Sequence, residues 1–242
     1  MDKGAHVPVL DKSICAHAKA AEEFLDSALL VDKPGGWTSY DIIRRLKSYF
    51  PRSTKIGHAG TLDPLATGLL ILLFGKATKS QVKFLGLSKT YSGIIRLGEV
   101  TASMDSETEI LERKSIDGIT SEQVESACKA HTGVIQQIPP MYSAVKVGGE
   151  RLYKKARRGE SVQRKPNTVT VYDFEIITID QADVHFRVRC SKGTYIRRLA
   201  HDIGQHLEVG GHLIKLRRTA IGNYHVNKAC TIEKLINAME FH

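Results

Sequence analysis

The sequence has few of the features that mark a metal-binding, secreted or membrane-embedded chain. Only four cysteines occur in 242 residues: Cys15, Cys128, Cys190 and Cys230. No two are close enough for a CxxC pair, which argues against a zinc ribbon or finger. With no other sign of an oxidising compartment, all four read as free thiols in a reducing cytoplasm. Residues Met1 to Leu10 carry no sustained apolar run, so no secretory leader is expected. The longest apolar stretch, Leu69-Leu70-Ile71-Leu72-Leu73-Phe74, is six residues, too short for a bilayer. Internal repeats, low-complexity tracts, metal-ligand clusters and glycine-rich nucleotide loops are also missing. These absences point to a cytoplasmic protein with no membrane partner.

Acidic residues are in the minority. Asp and Glu number 26 against 35 Lys and Arg, a formal net charge of +9. Such an excess favours a polyanionic partner, nucleic acid first, with a merely basic soluble protein as the bland alternative. A hydrophobic fraction of 42% supports a real core and argues against global disorder.

Along the chain, residues Ala16 to Leu30 fit either a leading helix or a loose extension. Ala28-Leu29-Leu30-Val31 reads as a buried strand ended by Asp32-Lys33-Pro34-Gly35-Gly36. Thr38 then caps a helix with Asp41 three residues on, its apolar face set by Ile42, Ile43 and Leu46, and Pro51 stops it. Ser53 to Thr67 is dense in Gly, His, Thr, Asp and Pro and reads as loop. Leu69 to Phe74 reads as a fully buried strand, Ala77 to Gly86 as a short helix, and Lys89 to Leu97 as a strand. A second capping box, Thr120 to Gln123, opens a helix to Thr132. From Lys146 to Lys165 eight basic residues face only Glu150 and Glu160. Thr168 to Ile179 reads as a strand. Val184, Phe186, Val188 and Cys190 alternate with polar residues, the period of a half-buried strand. A helix to His206, a strand over Leu213 to Ala220 and a closing helix over Thr231 to Met239 complete the pattern. The class is α+β: a central mixed or antiparallel sheet flanked by helices. No linker splits it, so one catalytic domain is expected over residues 28–242, with a basic insertion near 147–165 and an N-terminal extension, 1–27, of unassigned role.

Asp63 is the leading candidate for chemistry. Pro64 biases it out of the helical region, and Gly57, Gly60 and Gly68 permit tight backbone around it. A carboxylate on such a loop can be a nucleophile, a base or a ligand. Local physics favours a plainer reading, an Asx-turn satisfying backbone N–H groups.

The string Gly57-His58-Ala59-Gly60-Thr61-Leu62-Asp63-Pro64-Leu65-Ala66-Thr67-Gly68 resembles the catalytic loop of TruB-type pseudouridine synthases. The resemblance continues in order through Asp32-Lys33-Pro34-Gly35-Gly36-Trp37-Thr38-Ser39 and Lys89-Thr90-Tyr91. It then takes in Pro139-Pro140-Met141-Tyr142-Ser143-Ala144-Val145-Lys146, the stretch Arg151 to Gly159, Cys190 to Arg197, and Leu216-Arg217-Arg218-Thr219. It covers about residues 28 to 220 and implies the pseudouridine synthase fold. It also implies isomerisation of uridine 55 in the tRNA T loop: the N1–C1′ bond breaks, the flipped uracil rotates, and C5 rejoins. No atoms are gained or lost, so no cofactor or metal is called for.

The resemblance assigns Asp63 as catalytic aspartate, Tyr91 as the active-site tyrosine and Arg197 as the arginine that pairs with the aspartate. It places Tyr195 and Leu216 beside the uracil. It gives His58 the space vacated by the flipped base, an extrusion that costs a few kcal/mol. Lys33 is expected in a turn, touching loop or phosphate. Each has a plainer alternative: a core tyrosine, a surface arginine, ordinary leucine packing, a loop histidine. In the basic stretch Arg151, Lys154, Lys155, Arg157 and Arg158 are the expected RNA contacts, against the alternative of a solvated helix face. About twenty residues follow Ala220, so no C-terminal PUA-like domain and no guide RNA are expected, and the protein is expected to act as a monomer on the T arm. Met104 to Glu109 lacks the glycine usual after the family's acidic pair, so the turn there should differ. The competing functions are a non-catalytic RNA binder, which would need neither Asp63, Tyr91 nor Arg197, and an aspartate-dependent glycosylase that would release free base.

Overall fold

The computed structural model describes residues 7–17 and 21–240. The chain forms two compact units, Met1–Tyr91 with Arg217–His242, and Ser92–Leu216. Two strands, Lys89–Leu97 and Gly211–Ile221, run through both. Among the described residues no helix is long and apolar enough to cross a membrane.

The first unit is built on the apolar run read from the sequence. Strand Thr67–Phe74 is buried at every position after Thr67. Alternate side chains leave on opposite faces. Leu70, Leu72 and Phe74 enter one core with Phe24, Phe50, Ile42 and Leu46, and Leu69, Ile71 and Leu73 enter another with Phe84 and Ile221. Both faces are covered, so the strand is apolar throughout instead of alternating. It pairs antiparallel with Ala28–Lys33 in the register Ala28↔Leu73 to Lys33↔Gly68. Its other edge is shared. Ile56–His58 pairs antiparallel beside Leu72 to Phe74, and Arg217 and Arg218 pair in parallel beside Thr67 and Gly68. Gly68 has φ 103°, and a Cβ there would sit 2.3 Å from the Arg218 carbonyl oxygen, so only glycine fits. Ile56–His58 is a strand inside the segment expected to be all loop. It is short and lacks apolar alternation, so only its pairing partner reveals it.

The free edge of Ala28–Lys33 is covered by two short parallel strands laid end to end. Val9–Leu10 pairs with Ala28 and Leu29, and Cys230–Thr231 pairs with Val31 and Asp32. The N-terminal segment therefore belongs to the sheet and protects its edge. Helix Ile14–His17 and a 3-10 turn, Ala21–Phe24, follow; the rest of the expected leading helix, residues 18–20, lies outside the described residues. Helix Ser39–Lys47 has the expected reciprocal cap between Thr38 and Asp41 and buries Ile42 and Leu46.

The cysteine expectation is corrected here. Cys15 and Cys230 form a disulfide, with Cα atoms 6.7 Å apart, while Cys128 and Cys190 are free and buried. The two cysteines are 215 residues apart. Only the shared sheet edge brings them together.

In the second unit the long strand Asn167–Asp180 pairs antiparallel with Asp183–Cys190 and with Gly133–Gln137. Val184, Phe186, Val188 and Cys190 are buried, as their period-two spacing predicts. Helix Ser121–Ala130 carries the second capping box, Thr120 with Gln123, and helix Ile196–His206 lies further along the chain. A hairpin of Glu99–Thr101 and Ile110–Arg113 was not foreseen, because Ile110–Arg113 is exposed throughout and carries no burial pattern. The class is α+β, as expected.

The disulfide makes a direct prediction. Alkylation of the unfolded, unreduced chain should add two adducts, at Cys128 and Cys190, and four after reduction, counted by mass spectrometry. Loss of the cross-link should lower stability by about 2–4 kcal/mol. Four adducts without reduction would contradict the pairing.

Candidate active site

Lys33, His58, Asp63 and Tyr91 lie in the first unit; Tyr195, Arg197, Leu216 and the basic insertion lie in the second.

Asp63 sits half-buried in the loop between strands Ile56–His58 and Thr67–Phe74. Its carbonyl accepts from Ala66 N–H at 3.1 Å, closing a tight turn through Pro64. Three buried side chains fix the rest of that loop. The Ser39 hydroxyl accepts from Leu62 N–H at 2.9 Å and lies 3.2 Å from the Leu62 carbonyl. Lys33 is fully buried and donates to the carbonyls of Pro34 (2.8 Å), Trp37 (2.6 Å) and Pro64 (3.4 Å). Arg218, 1% exposed, donates from Nε to Leu69 O at 2.7 Å, from Nη2 to Gly60 O at 3.0 Å and from Nη1 to Thr61 O at 3.5 Å. Buried carbonyls left unsatisfied would each cost about 1–3 kcal/mol, so these cations are part of the loop's framework. Of the two contacts expected of Lys33, loop or phosphate, the structure shows the loop. Its ammonium is inside the protein, out of reach of a phosphate. Beside it Asp32 takes a two-pronged ion pair from Arg217, at 3.0 and 2.6 Å, which also reaches Thr67 Oγ1 at 3.3 Å.

His58 ends its strand opposite Leu72. Its carbonyl accepts from Gln81 Nε2 at 2.7 Å. Burial, then the nearby Arg218 charge, holds its imidazole below the usual histidine range. Tyr91 is 8% exposed on strand Lys89–Leu97. That strand starts at Lys89, a second buried lysine, which donates to the carbonyls of Leu85 and Leu87, both at 2.7 Å.

In the second unit Arg197 is 4% exposed. It donates from Nη1 to Ser103 O at 2.9 Å and from Nη2 to Tyr142 O at 2.8 Å, and its Nε lies 3.3 Å from the fully buried Asp105 carboxylate. Asp105 was not singled out from the sequence. In the turn that contains it, Met104 takes φ 63°, a conformation in which a glycine would be easier. Tyr195 precedes helix Ile196–His206. Its backbone is clamped from both sides by buried Gln137, which accepts from its N–H at 3.0 Å and donates to its carbonyl at 3.3 Å. Leu216 is 8% exposed. Gln137 gave no signal in the sequence, because its role depends on a residue 58 positions away.

The insertion is a hairpin, Lys146–Val147 with Glu150–Arg151, followed by helix Leu152–Arg157. Its cations are not equivalent. Arg158 forks onto Glu150 (2.8 Å twice) and reaches Glu160 at 2.7 Å; Lys155 lies 3.7 Å from both. The Arg158 hydrogen bonds, with a smaller charge effect, pull the Glu150 carboxyl down to about 2. Arg151, Lys154 and Arg157 are exposed, and Arg157 lies 5.7 Å over the Tyr153 ring. Of the five RNA contacts expected here, Lys155 and Arg158 are thus engaged with acids of the same segment.

Among the described residues no group of three or more His, Cys, Asp or Glu is gathered as metal ligands.

Two predictions follow from this geometry. His58 should titrate below the ordinary histidine value of 6.5; because the folded form disfavours the proton, its contribution to stability is complete above that value and is lost as pH falls from there through the lower folded-state value. An NMR midpoint at or above 6.5 would contradict the burial. Arg218→Lys keeps the charge but loses the fork. It should speed amide hydrogen exchange in residues 59–66 while leaving strand Ala28–Lys33 protected; unchanged exchange in the loop would show that Arg218 does not hold it.

The comparisons agree with one another. Residues 47–196 match the family model described as TruB family pseudouridylate synthase (N terminal domain), and residues 197–242 match the tRNA pseudouridylate synthase B C-terminal domain. The chain is 47% identical over 225 residues to the tRNA pseudouridine synthase B of Thermobifida fusca, covering 89% of this chain and 75% of that protein. It is 46% identical over 211 residues to the enzyme of that name from Opitutus terrae, covering 87% of both. Among solved structures it resembles a chain of a Cbf5-Nop10-Gar1 complex, with a TM-score of 0.67 and 28% identity, covering 98% of this chain but 61% of that one, so it spans about three-fifths of that longer chain. By fold, ordered motifs and family match, this chain belongs to the TruB family of pseudouridylate synthases and is an isomerase.

Proposed function

We propose that the chain converts uridine 55 in the T loop of tRNA to pseudouridine, with Asp63 as the reacting carboxylate. The observation that carries this reading is the Asp63 loop itself: one half-buried carboxylate on a turn whose backbone groups are held by Lys33, Ser39 and Arg218. Catalysis by a positioned group depends on such preorganisation. The names of the relatives from Thermobifida and Opitutus support tRNA as the substrate. Both are nearer in sequence than the Cbf5 chain, which favours direct recognition of the T arm without a guide RNA.

The chemistry needs little from the protein beyond position and charge. The N1–C1′ bond breaks, uracil turns over, C5 joins C1′, and the C5 proton is lost while N1 regains one. Asp63 serves as nucleophile at C1′ or C6, or as acceptor of a sugar proton. Tyr91 offers an aromatic face for the uracil and a phenol for proton transfer at C5 or the sugar. His58, neutral at physiological pH, suits insertion into the stack that the base has left, since a neutral ring loses less solvation than an imidazolium on entering it. Arg197 takes the part of counter-charge for the reacting carboxylate, and Tyr195 and Leu216 supply aromatic and apolar contact to the base.

The test is Asp63→Asn, assayed on unmodified tRNA with chemical mapping of pseudouridine. Turnover should fall by at least about 10²–10⁴-fold, with tRNA affinity and thermal midpoint near those of the parent. Turnover by a folded Asp63→Asn variant would sink the role of Asp63. Wild-type modification only outside the T loop would overturn the proposed position.

A further inference from the structure

A cleft of about 930 Å³ lies in the first unit between the C-terminal half of helix Ser39–Lys47, the turn after it, and strand Ile56–His58. No aspartate or glutamate lines it. Lys47, Arg52 and Lys55 do, together with Tyr40, Ser53 and Gln81. A smaller cleft of about 310 Å³ shares Ser53, Thr54, Lys55 and Thr78 with it and extends the path to Lys76 and Lys79. The carboxylates near this path are already committed. Asp41 takes Arg44 at 2.8 Å, and Asp26, which lines the smaller cleft, takes Lys76 at 3.3 Å. Arg52, Lys55 and Lys79 are exposed and, among the described residues, have no ion-pair partner. Lys47 is anchored by the Thr54 carbonyl.

We propose that this cleft holds the sugar-phosphate backbone of the substrate RNA next to the flipped nucleotide. The proposal rests on the reading of function above. The donor set is the one that meets phosphates: Lys and Arg, with hydroxyls and an amide between them. Tyr40, 67% exposed at the rim, adds a face on which a base or ribose can rest. The cleft also adjoins the reaction loop. Gly57 lines it, and Gln81, another lining residue, donates to the His58 carbonyl at 2.7 Å. RNA whose stack is entered by His58 therefore continues into a channel of uncompensated positive charge. Ile43, Phe50 and Leu73 form its apolar floor, which fixes the depth of the channel independently of the RNA.

The test is the salt dependence of tRNA binding by the full chain. Arg52→Gln/Lys55→Gln should lower the slope of log K against log salt by about 1.5, because each lost phosphate contact removes about 0.7–0.9. It should weaken binding roughly tenfold at low salt. Lys228→Gln/Lys234→Gln removes the same charge from elsewhere in the same unit and should leave the slope as in the parent. A folded Arg52→Gln/Lys55→Gln variant with the parental slope overturns the proposal, as does an equal fall in both double variants, which would mean diffuse attraction only. Pseudouridine formation by the parent is measured alongside. Its absence would sink the reading of function, while the slopes would still decide the cleft.

Discussion

Everything about the candidate site depends on a debt of backbone hydrogen bonds. A loop that presents a carboxylate cannot also be a helix or a strand, so its carbonyl groups have no regular partners. Here Lys33 and Arg218 answer that need from inside the protein. Burying each cation costs several kcal/mol in lost solvation, which is recovered only if its donors meet well-placed acceptors. Arg218 spans Leu69, Thr61 and Gly60, and Lys33 spans Pro34, Trp37 and Pro64. The two side chains therefore tie the loop both to the strand that follows it and to the motif around Pro34. Moving the loop would strand both charges, which makes its conformation stiff where a surface loop would be mobile.

This arrangement needs a platform that does not yield, and the sheet of the first unit provides one. Strand Thr67–Phe74 is packed on both faces, so neither face can relax toward solvent. Its close approach to Arg218 is possible because residue 68 has no side chain. The sheet edge beyond Ala28–Lys33 is occupied by both ends of the described chain, and the Cys15–Cys230 bond joins those ends covalently. In the second unit the same economy recurs. Gln137 clamps the backbone of Tyr195, and Asp105 with two carbonyls holds Arg197. Side chains assigned to chemistry are thus held by buried polar neighbours.

Features governed by neighbours a few residues away were legible in the sequence. The caps at Thr38 and Thr120, the apolar run ending at Phe74 and the alternation from Val184 to Cys190 all appear where their local pattern predicts. Features that depend on tertiary placement were not. For Lys33 the sequence left loop and phosphate contacts both open, because charge is visible in a sequence and burial of a single lysine is not. Cys15 and Cys230 gave no sign of pairing across 215 residues. Asp105 and Gln137 are ordinary polar residues until the fold sets them against Arg197 and Tyr195. The ordered motifs located the candidate site, but which residues build it and which residues support it became distinguishable only through burial and hydrogen bonding.

The same distinction changes the meaning of the net charge. A formal charge of +9 suggests a broadly basic surface, yet several cations never face solvent. Lys33, Lys89, Arg197 and Arg218 are buried among carbonyls or beside a carboxylate. Arg217, Arg158 and Lys155 are committed to acids of the chain. Counterion release counts only cations that meet phosphate, so these residues add to the charge of the molecule without adding to its salt-dependent grip on RNA. Among the exposed cations, two local groups stand out: Arg151, Lys154 and Arg157 in the insertion, and Arg52, Lys55 and Lys79 along the cleft beside His58. Positive charge in this fold is divided between a small interior set, of which Lys33 and Arg218 shape the reaction loop, and an exterior set able to hold a polyanion. A substitution that changes the net charge by one unit should therefore affect loop geometry or RNA affinity according to which set it strikes.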